Sequence, residues 1–145
     1  MKKAVFFVLL AAAMLTYFSI PVKSDAKVEE TVVDAEPIIE GYSDIGTARC
    51  SISVSGGTAN VSAIVSSSTS DTTSCAISLE IQEKFGFIWI TKETWTESAA
   101  GGYLAINESY SVTSGKTYRA KARVTVYTAS GSESATVTSA SQTAN

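Results

Sequence analysis

Apolar and polar residues alternate along most of the chain beyond residue 44, and the longest strictly alternating run is 117–127. One side of this run is apolar and carries Tyr118, Ala120, Ala122, Val124 and Val126. The other side is polar and carries the cations Arg119, Lys121 and Arg123. A period of two is that of a β-strand with one buried face, whereas a helix would mix the two sets.

Shorter runs of the same kind precede and follow it. Residues 50–54, 61–65 and 75–81 alternate, and Gly56-Gly57 between the first two predicts a hairpin. A further run, 135–139, ends the series. Turn signals recur at short intervals, and no helical period appears after residue 26. The pattern predicts an all-β domain, a seven-stranded antiparallel Ig/fibronectin-III-like sandwich.

The alternation is irregular in two places. Between Phe85 and Trp95 both phases are apolar near the start; Phe87, Trp89 and Trp95 share one phase, and Ile88 and Ile90 share the other. Farther on, Glu108 falls on the apolar phase of the run that begins at Tyr103. We expect a bulge or break at Asn107-Glu108 to turn this carboxylate away from the core.

The N-terminal residues have the order of an export signal. Two lysines precede the apolar run 4–20, and Pro21 and the small residues Ser24 and Ala26 follow it. We therefore expect a signal peptide over 1–26, an acidic linker over 27–44, a sandwich over 45–145, and a secreted, extracellular protein. Two alternatives stay open: an uncleaved membrane anchor, and a linker that binds or swaps through its apolar residues.

Charge narrows the range of partners. The whole chain has a net charge of −3, and the part beyond Ala26, with eight basic and thirteen acidic residues, has −5. Nucleic acids and anionic lipid surfaces require clustered cations. We therefore expect no nucleic-acid partner and no membrane partner after signal cleavage, and we expect carbohydrate or an extracellular protein as ligand.

The chain contains no histidine, which removes the commonest general base and the usual nucleophile pairs and zinc ligands. Five glutamates in the strand region remain as candidates for a glycosidase pair, and they are Glu80, Glu83, Glu93, Glu97 and Glu108. We interpret them as solvated residues that face cations across strands. The sequence predicts no enzyme, no cofactor and no metal site.

Cys50 and Cys75 are the two cysteines of the chain. Each falls on the inward phase of its predicted strand, and an even number of cysteines in an exported protein favours a disulfide. We expect a buried Cys50–Cys75 bridge that joins the first strand to the third.

The segment Val112-x-x-Gly115-x-x-Tyr118 places an apolar residue six positions before a tyrosine, with a glycine turn between. This spacing predicts a tyrosine corner at Tyr118. Together with Arg119–Val124 and Ala129-Ser130-Gly131, it resembles the last hairpin of fibronectin type III domains, with Ser114 where that family has proline.

The whole chain resembles a family of small secreted proteins of Gram-positive bacteria that has no assigned function. The features that carry the resemblance are the signal peptide, the acidic lead-in, Cys50-Ser51-Ile52-Ser53, the Trp89–Trp95 segment and Thr117-Tyr118-Arg119-x-Lys121. It implies a fold and a compartment, and it brings no catalytic residues.

The aromatic residues of the strand region form the candidate cluster, because exposed indole rings stack on sugars and anchor protein interfaces; they are Phe85, Phe87, Trp89, Trp95 and Tyr103. The candidate binding residues among them are Trp89, Trp95 and Tyr103. We expect one tryptophan in the core and the other at the surface with Tyr103 beside it, and the sequence leaves open which of the two is buried. The sequence predicts a secreted, non-catalytic binding or adhesion domain for a cell-wall or host glycan. The alternative is a secreted effector, either bacteriocin-like or an inhibitor.

Overall fold

The computed structural model describes residues 42–145. The predicted signal peptide and all but the last three residues of the predicted linker lie outside the described residues. Among the described residues there is no helix long and apolar enough to cross a membrane.

Eight strands follow one another along the described chain. They are β1 (Ile45–Ser55), β2 (Thr58–Ser67), β3 (Thr72–Phe85), β4 (Ile88–Ala100), β5 (Tyr103–Ser111), β6 (Thr117–Thr128), β7 (Gly131–Thr138) and β8 (Gln142–Thr143). All pairs are antiparallel. One sheet has the order β1-β2-β5, and the other has the order β4-β3-β6-β7, with β8 added to β6. The predicted sandwich is confirmed, and the two-residue strand β8 is the addition.

The core lies between the two sheets and consists of the inward phase of each strand. The buried residues of β3 are Cys75, Ile77, Leu79 and Ile81, and those of β6 are Tyr118, Ala120, Ala122, Val124 and Val126. The small sheet contributes the alternate positions from Ala59 to Val65 and from Leu104 to Ile106. Because side chains of a strand alternate between its faces, the sequence period directly specified this set.

Turn geometry follows from two glycine positions. Gly56 and Gly57 both have positive φ, 57° and 78°, which a two-residue type I′ hairpin between β1 and β2 requires. In the β3–β4 turn Gly86 has φ 61° while Phe87 does not have positive φ, the pattern of a type II′ turn. Both turns are tight because glycine adopts positive φ without steric cost.

The expected break at Asn107-Glu108 is wrong. β5 pairs with β2 in one register from Tyr103 to Ser111, and Glu108 lies opposite Val61. Glu108 is half-buried at the edge of the small sheet. A long side chain at an edge reaches solvent around the side of the sandwich, so the inward phase does not force a bulge here.

Both ends of the described chain are fastened to strands. The Glu133 carboxylate of β7 accepts backbone hydrogen bonds from Ser43, Asp44 and Ile45 at 3.0, 2.8 and 2.9 Å. At the other end of the sandwich, the Gln142 side chain accepts a hydrogen bond from the Val54 backbone N–H at 2.8 Å.

Candidate functional site

The three aromatic residues of the predicted site are not brought together. Trp89 is the second residue of β4, Trp95 lies in its middle, and Tyr103 begins β5 after the β4–β5 turn. From Trp89 to the end of β4 the strand rises roughly 35 Å. Trp89 and Tyr103 therefore lie at opposite ends of the sandwich, and Trp95 lies between them on another face.

A β-bulge separates the two tryptophans. Glu93 pairs with Ile81 and Thr91 pairs with Gln82, so Lys92 is an extra residue on β4 with no partner of its own. An extra residue reverses the phase of everything that precedes it. Trp95 therefore shares the inward phase of its partner Leu79, while Trp89 shares the outward phase of Lys84. The expectation that both lie on one face is wrong for this reason.

Trp95 is half-buried and packs against the hydrophobic core. It lies on β4, the edge strand of the larger sheet, where a large ring covers the side of the core. The sequence left open which tryptophan is buried; the structure packs Trp95 on the core and places Trp89 on the outer face.

Trp89 is half-buried on the outer face of the larger sheet, beneath a cation. The Arg119 guanidinium carbon lies 4.2 Å from the centroid of the indole ring, the geometry of a cation–π contact. The Arg119 Nε donates a 2.8 Å hydrogen bond to Gln82 Oε1. Partial burial lowers the pKa of Arg119 below its ordinary value, and the group keeps its charge at neutral pH.

A hydrogen-bond network fixes this contact from below. Gln82 is buried, and its amide nitrogen donates to Glu80 Oε2 at 3.0 Å and to Thr91 Oγ1 at 3.3 Å. The Thr91 hydroxyl donates to the same Glu80 oxygen at 3.0 Å. Hydrogen bonds among residues of β3, β4 and β6 thus hold Arg119 over Trp89 and attach the start of β4 to the sheet.

The exposed apolar residues concentrate at the tip of the β3–β4 hairpin, which we define as residues 84–92 and call the hairpin tip. Phe87 is 104% exposed, Phe85 63%, Ile88 60% and Ile90 43%. β6 pairs with β3 only as far as Glu83, so the pairs Lys84–Trp89 and Phe85–Ile88 project beyond the neighbouring strand. The sequence placed Phe85 and Phe87 in the aromatic cluster but did not assign the binding site to this turn, although apolar residues on both phases of 85–90 were the signal for it.

Two tyrosines outside the hairpin tip are also exposed. Tyr103 is 60% exposed at the opposite end of the sandwich, and Tyr127 is 42% exposed on the outer phase of β6. Each is a single exposed aromatic ring, which is ordinary for a soluble surface. Among residues 42–145, only the hairpin tip groups several exposed large apolar residues.

The outer face of β6 is polar. Lys121 lies directly opposite Glu80, and Arg123 lies opposite Ser78. Opposite charges at facing positions of neighbouring strands stabilise the sheet modestly. Lys121 and Arg123 therefore belong to a solvated sheet face, whereas the third β6 cation, Arg119, is held over Trp89.

The predicted disulfide is wrong, because Cys50 and Cys75 are both buried free thiols. Cys75 lies opposite Val126 on β6. Cys50 lies beside the backbone of Ser139. The Ser139 N–H donates a hydrogen bond to the Ala120 carbonyl, and Ala120 lies six residues before Val126 on β6. Six residues of strand span about 20 Å, far beyond the Cα separation that a disulfide allows. Burial raises the pKa of Cys50 to about 12, against a smaller opposing effect of the Ser139 backbone.

Tyr118 bonds the chain upstream of its own strand. Its phenol oxygen accepts a 3.0 Å hydrogen bond from the backbone N–H of Thr113, and its ring lies 6.4 Å from that of Tyr110. The backbone partner is a donor. The ring is 1% exposed, so it fills the core at the end where the β5–β6 connection crosses between the sheets.

Within residues 42–145, no group of three or more His, Cys, Asp or Glu side chains is placed so that it could hold a metal ion.

No protein-family model matches the chain, and no curated protein matches it significantly. The architecture is that of a sandwich compatible with an Ig/fibronectin-III-like domain. The resemblance to a Gram-positive secreted family rests on sequence features alone.

Proposed function

We propose that this protein is a non-catalytic binding module of the cell exterior and that the hairpin tip is its contact region. The observation that carries the proposal is the exposure of Phe85, Phe87 and Ile88, each at least 60% exposed, at one projecting turn. A contiguous exposed apolar group on a folded domain marks an interaction site.

The rest of the sandwich supports the same conclusion. Outward positions of the small sheet are small and polar, such as Ser51, Ser62, Asn60 and Ser109, which bond one another across strands. Side chains that already pair within the sheet offer few free groups to a partner. The hairpin tip differs from them in size, polarity and projection.

A glycan site built on the two indoles is a weaker candidate than the hairpin tip. Trp95 packs against the core, and Arg119 covers one face of Trp89. Stacking on a sugar requires an accessible ring face. The experiment therefore tests both classes of ligand: purified peptidoglycan and wall polysaccharide test carbohydrate, and intact cells also present extracellular protein.

The experiment is a retention assay with the chain from Lys27 onward. Intact bacterial cells, purified peptidoglycan and wall polysaccharide are each incubated with the protein and sedimented. We expect retention on intact cells, and we expect Phe87→Ser to lower the retained fraction at least about tenfold, because it removes a large apolar contact. Tyr103→Ser is the matched control, since it removes another exposed aromatic ring at the opposite end of the sandwich.

Equal retention of Phe87→Ser and the unmodified chain would contradict the proposal. So would loss of retention in Tyr103→Ser alone, which would move the contact region to the other end of the sandwich.

A further inference from the structure

The shape of the hairpin tip restricts what it can contact. Phe85, Ile88 and Ile90 share one face of the two-stranded ribbon, and Lys84 and Trp89 share the other. Phe87, at the turn, projects fully into solvent. The tip is thus a convex wedge with apolar rings on two sides and at its end. A flat partner surface would cover only one of these sides, whereas a fluid medium surrounds all of them.

Both charged residues within 84–92 are lysines, and Glu83 and Glu93 adjoin them on the side away from the turn. Lys84 and Lys92 bound the apolar residues, and no acidic residue lies between them. Arg119 adds a third cation directly over Trp89. An apolar tip with tryptophan and a collar of cations has the composition that binds at the interface of an anionic bilayer, with indole at the headgroup level and cations near phosphate.

The edge of β4 is poorly suited to pairing with another strand. The bulge at Lys92 interrupts its regular spacing, and Glu93 and Glu97 carry charge on its inward phase. Bulges and inward charges on edge strands are the devices that prevent edge-to-edge association. A second copy of this chain is therefore a weaker candidate for covering the tip than a surface that needs no backbone pairing.

We propose that the hairpin tip inserts into the headgroup region of an anionic lipid bilayer, with Phe87 and Ile88 entering first and Lys84 and Lys92 contacting lipid phosphates. This inference rests on the proposed function and names the surface that the module binds. It departs from the expectation of no membrane partner, which was drawn from net charge. Six of the thirteen acidic residues beyond Ala26 precede Ile45, so the net charge does not describe the tip.

The test is partition of the chain from Lys27 onward into vesicles of phosphatidylcholine with about one-third phosphatidylglycerol. The buried residues of the described part, 42–145, are all present in this chain, and it omits the apolar run 4–20, which would itself enter lipid. A cooperative melt first verifies folding. We expect Phe87→Ser to lower the partition coefficient at least about tenfold, and Lys84→Gln to lower it about fivefold.

Tyr103→Ser is the control and is expected to bind as the unmodified chain does. In a Trp95→Phe background Trp89 is the single indole of the chain, and its emission should shift to the blue and be quenched by brominated lipid. Vesicles of pure phosphatidylcholine should bind more weakly, and Lys84→Gln should then have little effect.

Absence of partition, an unchanged coefficient in Phe87→Ser, or an equal loss in Tyr103→Ser would each overturn the inference. A dimer that Phe87→Ser dissociates and that vesicles do not compete away would also overturn it, in favour of a second copy. If cells retain the protein through Phe87 while vesicles do not bind it, the proposed function stands and the lipid assignment fails.

Discussion

Two aromatic turns lie at the same end of the sandwich and are treated in opposite ways. At the β5–β6 connection, Tyr118 of β6 is 1% exposed and its phenol oxygen accepts a hydrogen bond from the Thr113 N–H. Ala144 closes over this turn through backbone hydrogen bonds with Gly115 and Lys116. In the β3–β4 turn Phe87 is 104% exposed.

The difference shows that exposure at the hairpin tip is a property of that hairpin and not of the end of the sandwich. The C-terminal residues 139–144 cover the neighbouring turn, and they stop short of β3 and β4 because β8 pairs with β6. We therefore expect an external contact at the β3–β4 turn, because it is apolar and uncovered while the neighbouring turn is covered.

The largest expected effect compares the two turns directly. Tyr118→Ala should lower the free energy of unfolding by about 3 to 5 kcal/mol, because it leaves a cavity in the core. Phe87→Ala should change it by less than about 0.5 kcal/mol, as surface substitutions do. Denaturant melts measure both. Similar values for the two variants would remove the contrast between the turns.

The second effect compares the two tryptophans across the Lys92 bulge. Trp95→Ala should cost about 2 to 3 kcal/mol, since the ring is half-buried against the core. Trp89→Ala should cost about 1 kcal/mol, the size of an exposed cation–π contact. Chemical denaturation of both variants decides the order, and the reverse order would place Trp89 in the core after all.

The third effect isolates the hydrogen bond at the covered turn. Tyr118→Phe keeps the ring and removes the acceptor for the Thr113 N–H, so we expect a loss of about 1 kcal/mol. The backbone group that loses its partner in this variant is a donor. Thr113 is exposed, and water replaces part of the bond. The measured loss should therefore stay below that of Trp95→Ala.

The smallest effect concerns pH at the far end of the sandwich. Burial acts to raise the pKa of Glu133, but hydrogen bonds from Ser43, Ile45 and Asp44 prevail and lower it below 4.5. A carboxylate whose pKa is depressed in the folded state contributes its full stabilisation of the fold at pH values above its ordinary pKa. This contribution is lost as the pH falls through the depressed pKa.

The melting temperature, measured from neutral pH down into the acid range, should therefore decrease once the pH is below 4.5. Glu133→Gln should make this decrease smaller. Glu97→Gln, on an exposed residue of β4, is the control. Identical pH profiles for Glu133→Gln and the unmodified chain would show that the three backbone bonds do not depend on charge.

Alternation alone predicted the sandwich and most of its core, because the phase of a strand is local. The buried residues from Tyr118 to Val126 and from Cys75 to Ile81 follow period two without interruption. The hairpin at Gly56-Gly57 could be predicted equally well from the sequence, because glycine itself permits the positive φ that both turn positions require.

What only the tertiary structure decided is how strands align along their length. A sequence period gives the phase of each cysteine, but the distance between Cys50 and Cys75 depends on register across two sheets. The bulge at Lys92 depends in the same way on the partner strand, and it moved Trp89 and Trp95 to opposite faces. Exposure of the hairpin tip depends on where β6 ends relative to β3, because a strand pair is covered only as far as its neighbours extend.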